Sequence, residues 1–166
     1  MSFETFFLGR EKIRNPFVRE MISIGKELAD KGIGREGNMS VRYGSRIIIT
    51  ARNADMGSLT ESDFVEVADY DVVRNVALVI GQKEPSAETI MHWLIYRRED
   101  INAIIHIHNT FEKLPTTEKE KPSGSFEIAL EVLKSLKNSR CINLRNHGCI
   151  AVGKSLREAR EEIACL

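Results

Sequence analysis

The chain is poor in cysteine, has no surplus of either charge and contains no long apolar run, and each scarcity removes a class of protein. Three cysteines among 166 residues is an odd number. Each lies in or beside an apolar segment, which suits reduced thiols in a cytoplasm rather than a disulfide framework. Lysine plus arginine, 24, equals aspartate plus glutamate, 24. That balance leaves no basic excess for nucleic acid and no polybasic run for a membrane surface. No apolar stretch approaches the length of a membrane span. The first residues, Met1 to Phe7, carry an acid and no basic flank before a short apolar cluster, so they do not read as a signal peptide. Internal repeats, linkers and a second composition are also missing. The sequence therefore predicts one domain over residues 1–166, long enough to bury about two thirds of its unfolded surface.

What is present is a concentration of histidine. All four fall between residues 92 and 147. His106 and His108 stand two apart in the β-branched run Ala103 to His108, and alternate strand residues share a face. Glu88 and His92 stand four apart in a helical pattern and likewise share a face. His147 lies between Asn146 and Gly148, where a strand would end. Three neutral imidazoles meeting at one point form a divalent-metal site with an open fourth position, and Glu88 would lie within its reach. Each histidine alone would read as a hydrogen-bonded core or turn residue; the set together favours metal. His92 would either orient Glu88 or sit in the core, and the core reading is preferred. Cys141 and Cys149 are possible soft ligands, but their apolar flanks favour packing.

The rest of the chain supplies a scaffold. Asn15-Pro16 predicts a capped helix start, with an apolar stripe from Phe17 to Leu28 and a stop at Gly32. Residues 38–43 and 46–50 predict a hairpin turning at Gly44-Ser45, and Thr60 to Asp63 a short capped turn. Phe64 to Val67 and Val72 to Ile80 read as strands, and Ser86 as the start of a helix. Asn109 to Gly124 reads as a mobile polar surface loop. Ser125 then opens a helix, Cys141–Arg145 and Gly148–Val152 pair with His147 at their turn, and Ser155 caps a last helix. Hairpins mixed with helices predict a largely antiparallel sheet covered by helices.

Five short motifs, in order, carry a resemblance: Gly37-Asn38-Met39-Ser40, Ile47 to Thr50, Pro85-Ser86-Ala87-Glu88, His106-Ile107-His108, and Asn146-His147-Gly148 with Gly153 beyond. Over residues 17–163 the chain resembles the class II aldolase/adducin family. The resemblance implies a three-layer α/β/α sandwich with a mostly antiparallel central sheet. It implies zinc, or cobalt, manganese or iron, held by His106, His108 and His147, with Glu88 as acid/base. It implies a substrate phosphate on Gly37, Asn38, Thr50 and Ser86, a small sugar-phosphate substrate, and a homo-oligomer, a tetramer in the family. The chemistry implied is cleavage of a carbon–carbon bond beside a ketone through a metal-stabilised enediolate. An epimerase or dehydratase on the same site, and a noncatalytic adducin-like binding module, are the alternatives. Burial of Glu88 between Pro85 and an apolar helix face would push its pKa toward neutral.

Two departures from the family stand out. The anion loop reads Thr50-Ala51-Arg52-Asn53, and the second serine is Ala87, so Arg52 stands where a smaller hydroxyl-bearing loop is usual. A guanidinium there would take an anion bidentately, close the pocket or favour a carboxylate. The stretch from His108 to His147 is short and has no tyrosine, the C-terminus stops early, and neither Tyr43, Tyr70 nor Tyr96 falls where the family places a proton donor.

Overall fold

A computed structural model describes residues 3–166 of the chain. Its eight strands form one sheet in the order β1-β5-β4-β3-β2-β6-β8-β7, where β1 is Glu4–Gly9, β2 Gly37–Tyr43, β3 Arg46–Thr50, β4 Phe64–Asp71, β5 Val76–Ile80, β6 Ala103–Ile107, β7 Cys141–Leu144 and β8 Gly148–Gly153. Every pairing is antiparallel except β1 with β5. Four helices cover it: α1 Pro16–Asp30, α2 Thr89–Ile95, α3 Phe126–Ser135 and α4 Leu156–Ala164.

Strand alternation divides the apolar side chains into two cores. Ile47, Ile49, Ile104, Ile142 and Ile150 pack with Ile90, Met91 and Ile95 of α2 and Ile128, Ala129 and Val132 of α3. Their neighbours along the strands, among them Ile48, Ile105, Cys149 and Ala151, pack with Val18, Met21, Ile24 and Leu28 of α1 and Leu156, Ala159 and Ile163 of α4. The result is the three-layer α/β/α sandwich. Cys141 and Cys149 are buried in the second core.

Local chemistry fixes the ends. The Asn15 side chain accepts from the Phe17 N–H, Ser125 from Ile128 and Ser155 from Glu158, each satisfying a helix-start donor. At the capped turn the Asp63 carboxylate accepts from the Thr60 N–H at 2.8 Å. The Arg42 guanidinium donates to the carbonyls of Tyr96, Arg98 and Ile101 at 2.6, 2.9 and 2.8 Å, and so ties the end of α2 to the central strand β2.

Four details differ from the sequence expectations. Strand β1 was not foreseen; Phe6 and Leu8 are exposed, so the segment lacks a strong burial pattern, and Met1 and Ser2 of that stretch lie outside the described residues. Strand β5 begins at Val76 rather than Val72, because residues 72–75 form the turn from β4 and Asn75 takes φ 58°. Helix α2 begins at Thr89, with Glu88 at its N-cap position. The segment 109–124 is irregular but tied down: Thr117 is buried and its N–H donates to the Asn143 carbonyl at 2.9 Å. The Asn143 side chain accepts from the Phe111 N–H at 3.1 Å and donates to its carbonyl at 2.8 Å.

Candidate metal centre and adjoining cleft

The register brings the histidines together. Asn38 of β2 pairs with His106 of β6, and Ile107 pairs with Cys149 of β8. His108 follows the end of β6 and His147 precedes the start of β8, so both rings stand at the same end of adjacent strands. This close approach depends on two glycines. A Cβ on Gly37, at φ +146°, would lie 2.1 Å from the His106 carbonyl oxygen, and one on Gly148, at φ +159°, 2.1 Å from that of Ile107. Only glycine fits such a backbone at that distance.

Glu88, His106, His108 and His147 each offer one ligand atom, all within 4.8 Å of one another. The Nε2 atoms of His106 and His147 are 3.2 Å apart. Glu88 Oε2 lies 3.1 Å from His106 Nε2, and Oε1 lies 3.1 Å from His147 Nε2. Two nitrogens held about 2.0–2.1 Å from one ion at a tetrahedral angle lie roughly 3.3 Å apart, so the spacing fits. The tautomer fits too. His106 Nδ1 donates to the Cys149 carbonyl at 2.8 Å, leaving the Nε2 lone pair turned to the cluster, as a backbone carbonyl does for a ligating imidazole.

The electrostatics pair the Glu88 carboxylate with the imidazoles around it. Burial pushes the Glu88 carboxyl up, but the imidazoles of His106 and His147 outweigh it and hold the group well below the ordinary carboxylate range. The expectation of a near-neutral pKa is therefore corrected: two basic partners at hydrogen-bond distance outweigh burial. Burial pushes His106 down while Glu88 pulls it up, with a net rise; burial and then His106 push His108 down.

A cleft of about 580 Å³ opens beside the cluster, lined by Asn38, Arg52, Ser86, Glu88, His108 and Ser123 among others. Arg52 contributes a guanidinium whose Nε and Nη2 are shielded from solvent and have no hydrogen-bond partner among the described residues. Nearby Arg35 is already engaged by Asp55 at 2.8 Å. Ser86 Oγ accepts from the Glu88 N–H at 3.2 Å. Thr50 stands behind the cleft rather than along it. Its hydroxyl accepts from the Met39 N–H at 3.1 Å and its carbonyl from the Ser86 N–H at 3.1 Å. Gly37 lines the cleft where β2 begins.

Sequence reasoning missed Ser123 and the hydrogen-bond partners of His92. Ser123 Oγ donates to Glu88 Oε1 at 3.1 Å, from a segment whose polar composition carries no periodic signal. His92 is fully buried as a core histidine would be, yet both its ring nitrogens are hydrogen-bonded.

Fold and cluster together define a class of protein: a helix-covered antiparallel sheet presenting three imidazoles and a carboxylate to one open cleft. The family described as "Class II Aldolase and Adducin N-terminal domain" matches residues 19–122 and 109–166, and the chain belongs to that family. It is 31% identical over 172 residues to the L-fuculose phosphate aldolase of Methanocaldococcus jannaschii, covering 89% of this chain and 90% of that one. With the L-fuculose phosphate aldolase of Methanococcus maripaludis it shares 34% identity over 164 residues, covering 84% and 86%. A solved L-fuculose 1-phosphate aldolase superposes with a TM-score of 0.76 at 29% identity, over 93% of this chain and 84% of that one.

Proposed function

We propose that this protein is a metal-dependent lyase of the aldolase type, cleaving the carbon–carbon bond next to the ketone of a small anionic ketose. The observation that carries the reading is the convergence of Glu88, His106, His108 and His147 within 4.8 Å. The three imidazoles would hold a divalent cation, zinc first, with cobalt, manganese or iron as alternatives. Neutral ligands leave the ion its full charge, and when bound it supplies a Lewis acid for the negative charge that develops on the substrate's two adjacent oxygens.

The chain's own residues do the rest. Glu88 takes the proton from the substrate hydroxyl as the bond breaks and returns it at carbon. Ser123 and Asn38 hold the Glu88 carboxylate from the cleft side. Arg52, whose side chain lines the cleft, takes the substrate's anionic end, together with Ser86 and the backbone around Gly37 and Asn38. A ketose 1-phosphate, as named in the relatives, or a sugar acid fits that requirement. We expect a cytoplasmic homo-oligomer, a tetramer, and a monomeric mass in solution would count against it.

The test is metal content together with release of dihydroxyacetone phosphate from L-fuculose 1-phosphate. About one zinc per chain and turnover abolished by chelation support the lyase. A purified, folded chain that takes up no divalent metal points instead to a binding module.

A further inference from the structure

Beneath the cleft a row of polar side chains crosses the otherwise apolar layer between β2 and α2. The Tyr96 hydroxyl lies 2.8 Å from Ser40 Oγ, and Ser40 Oγ lies 2.6 Å from His92 Nδ1. His92 Nε2 lies 2.5 Å from Asn38 Oδ1, and Asn38 Nδ2 donates to Glu88 Oε2 at 2.8 Å. All five residues are buried. The spacing is dictated by the two elements: Asn38 and Ser40 alternate on one face of β2, while His92 and Tyr96 are four apart on α2 and its end.

The direction of every link follows from its last member. An ionised carboxylate only accepts, so Asn38 must turn its NH2 to Glu88 and its Oδ1 to His92. His92 Nε2 must then carry the hydrogen, and Nδ1 must accept from the Ser40 hydroxyl. Ser40, having donated, accepts from Tyr96. Burial pushes His92 down to about 3 and Tyr96 up, so the imidazole stays neutral and the phenol keeps its proton.

We propose that His92, backed by Ser40 and Tyr96, is a positioning residue that locks the Asn38 amide in one orientation and through it aims Glu88. This rests on Glu88 being the acid/base of the proposed lyase. The lock makes Asn38 a pure donor toward the cleft. One N–H holds Glu88 and the other is left for an oxygen of the substrate, so the position accepts phosphate, carboxylate or carbonyl oxygen and offers nothing to a hydroxyl hydrogen.

Histidine-labelled protein, with and without zinc, gives the first test by nitrogen-15 NMR. His92 is expected as the neutral Nε2–H tautomer throughout, between about pH 5 and 8, where an ordinary imidazole charges. An Nδ1–H tautomer, a mixture, or charging in that interval overturns the proposal whatever the enzyme does. The second test measures cleavage of L-fuculose 1-phosphate by the zinc-loaded variants. His92→Leu is expected to lower kcat about 10–100-fold with KM nearly constant, and His92→Gln, which restores a donor toward Asn38, to recover most of that loss. Equal losses in both variants overturn the proposal. Should His92→Leu fail to fold, the tautomer and the Gln variant decide. Wild-type protein that holds zinc but cleaves nothing refutes the lyase assignment, and the tautomer is then still read on its own.

Discussion

Glu88 is the side chain on which the proposed chemistry converges, since both its oxygens are engaged by partners from other elements. Glu88→Gln keeps the size and removes the base. The cleavage rate is expected to fall about 10²–10⁴-fold while metal content stays near the wild-type value; a variant still cleaving at the wild-type rate would remove Glu88 from the mechanism. Arg52→Ala is expected to raise KM for an anionic ketose about 10–100-fold, the loss of a charge-assisted pair of about 1.5–3 kcal/mol, with kcat less affected. His92 makes stability depend on pH. Its pKa drops from the ordinary 6.5 to about 3 on folding, so above pH 6.5 neither state is charged and its contribution is complete. Below that, the unfolded chain gains the proton first, and stability falls progressively toward pH 3. Between pH 7 and pH 5 the loss from this residue is about 2 kcal/mol. Urea unfolding of wild type and His92→Gln at both values would show it as a smaller pH dependence in the variant.

At the scale of elements, what the sequence made legible was local. The two-residue spacing of His106 and His108 in a β-branched run, the capped starts at Asn15, Ser125 and Ser155, and the hairpin around His147 each depend on neighbours along the chain. What stayed hidden depended on partners far away. Strand β1 exists because β5 offers it an edge, Glu4 lying opposite Val76, and nothing in residues 4–9 announces that. The segment 109–124 reads as solvent-loving by composition, yet Asn143 holds it through paired hydrogen bonds to Phe111 and Glu88 through one to Ser123. The hydrogen-bond partners of His92 were hidden in the same way, because Asn38 and Ser40 lie on another element. The glycine before β8 gives the sharpest test at this scale. Gly148→Ala would force a left-handed-region backbone on alanine and drive a Cβ into the Ile107 carbonyl. The expected cost is at least about 1–3 kcal/mol, read by urea unfolding, with zinc retention reduced because His108 and His147 move apart.

Across the whole molecule, the proposed ligands come from β6 and the turn before β8, so an ion bound there would fasten the sheet's core. Saturating zinc at about 100 times its Kd adds about 2.7 kcal/mol, which for a domain of this size raises Tm by about 5–10 °C. Scanning calorimetry before and after chelation measures the shift, and a Tm indifferent to both metal and chelator would contradict the assigned ligands.

The first strand also acts as a guard. It is the one parallel member, laid along β5 at the sheet's rim, and it closes the pairing groups that β5 would otherwise show to its surroundings. A chain shortened to begin at Arg10 would keep the histidine centre but carry a raw, adhesive margin. Its tendency to clump, followed by light scattering as concentration rises, should exceed that of the intact chain while zinc uptake per folded molecule stays the same.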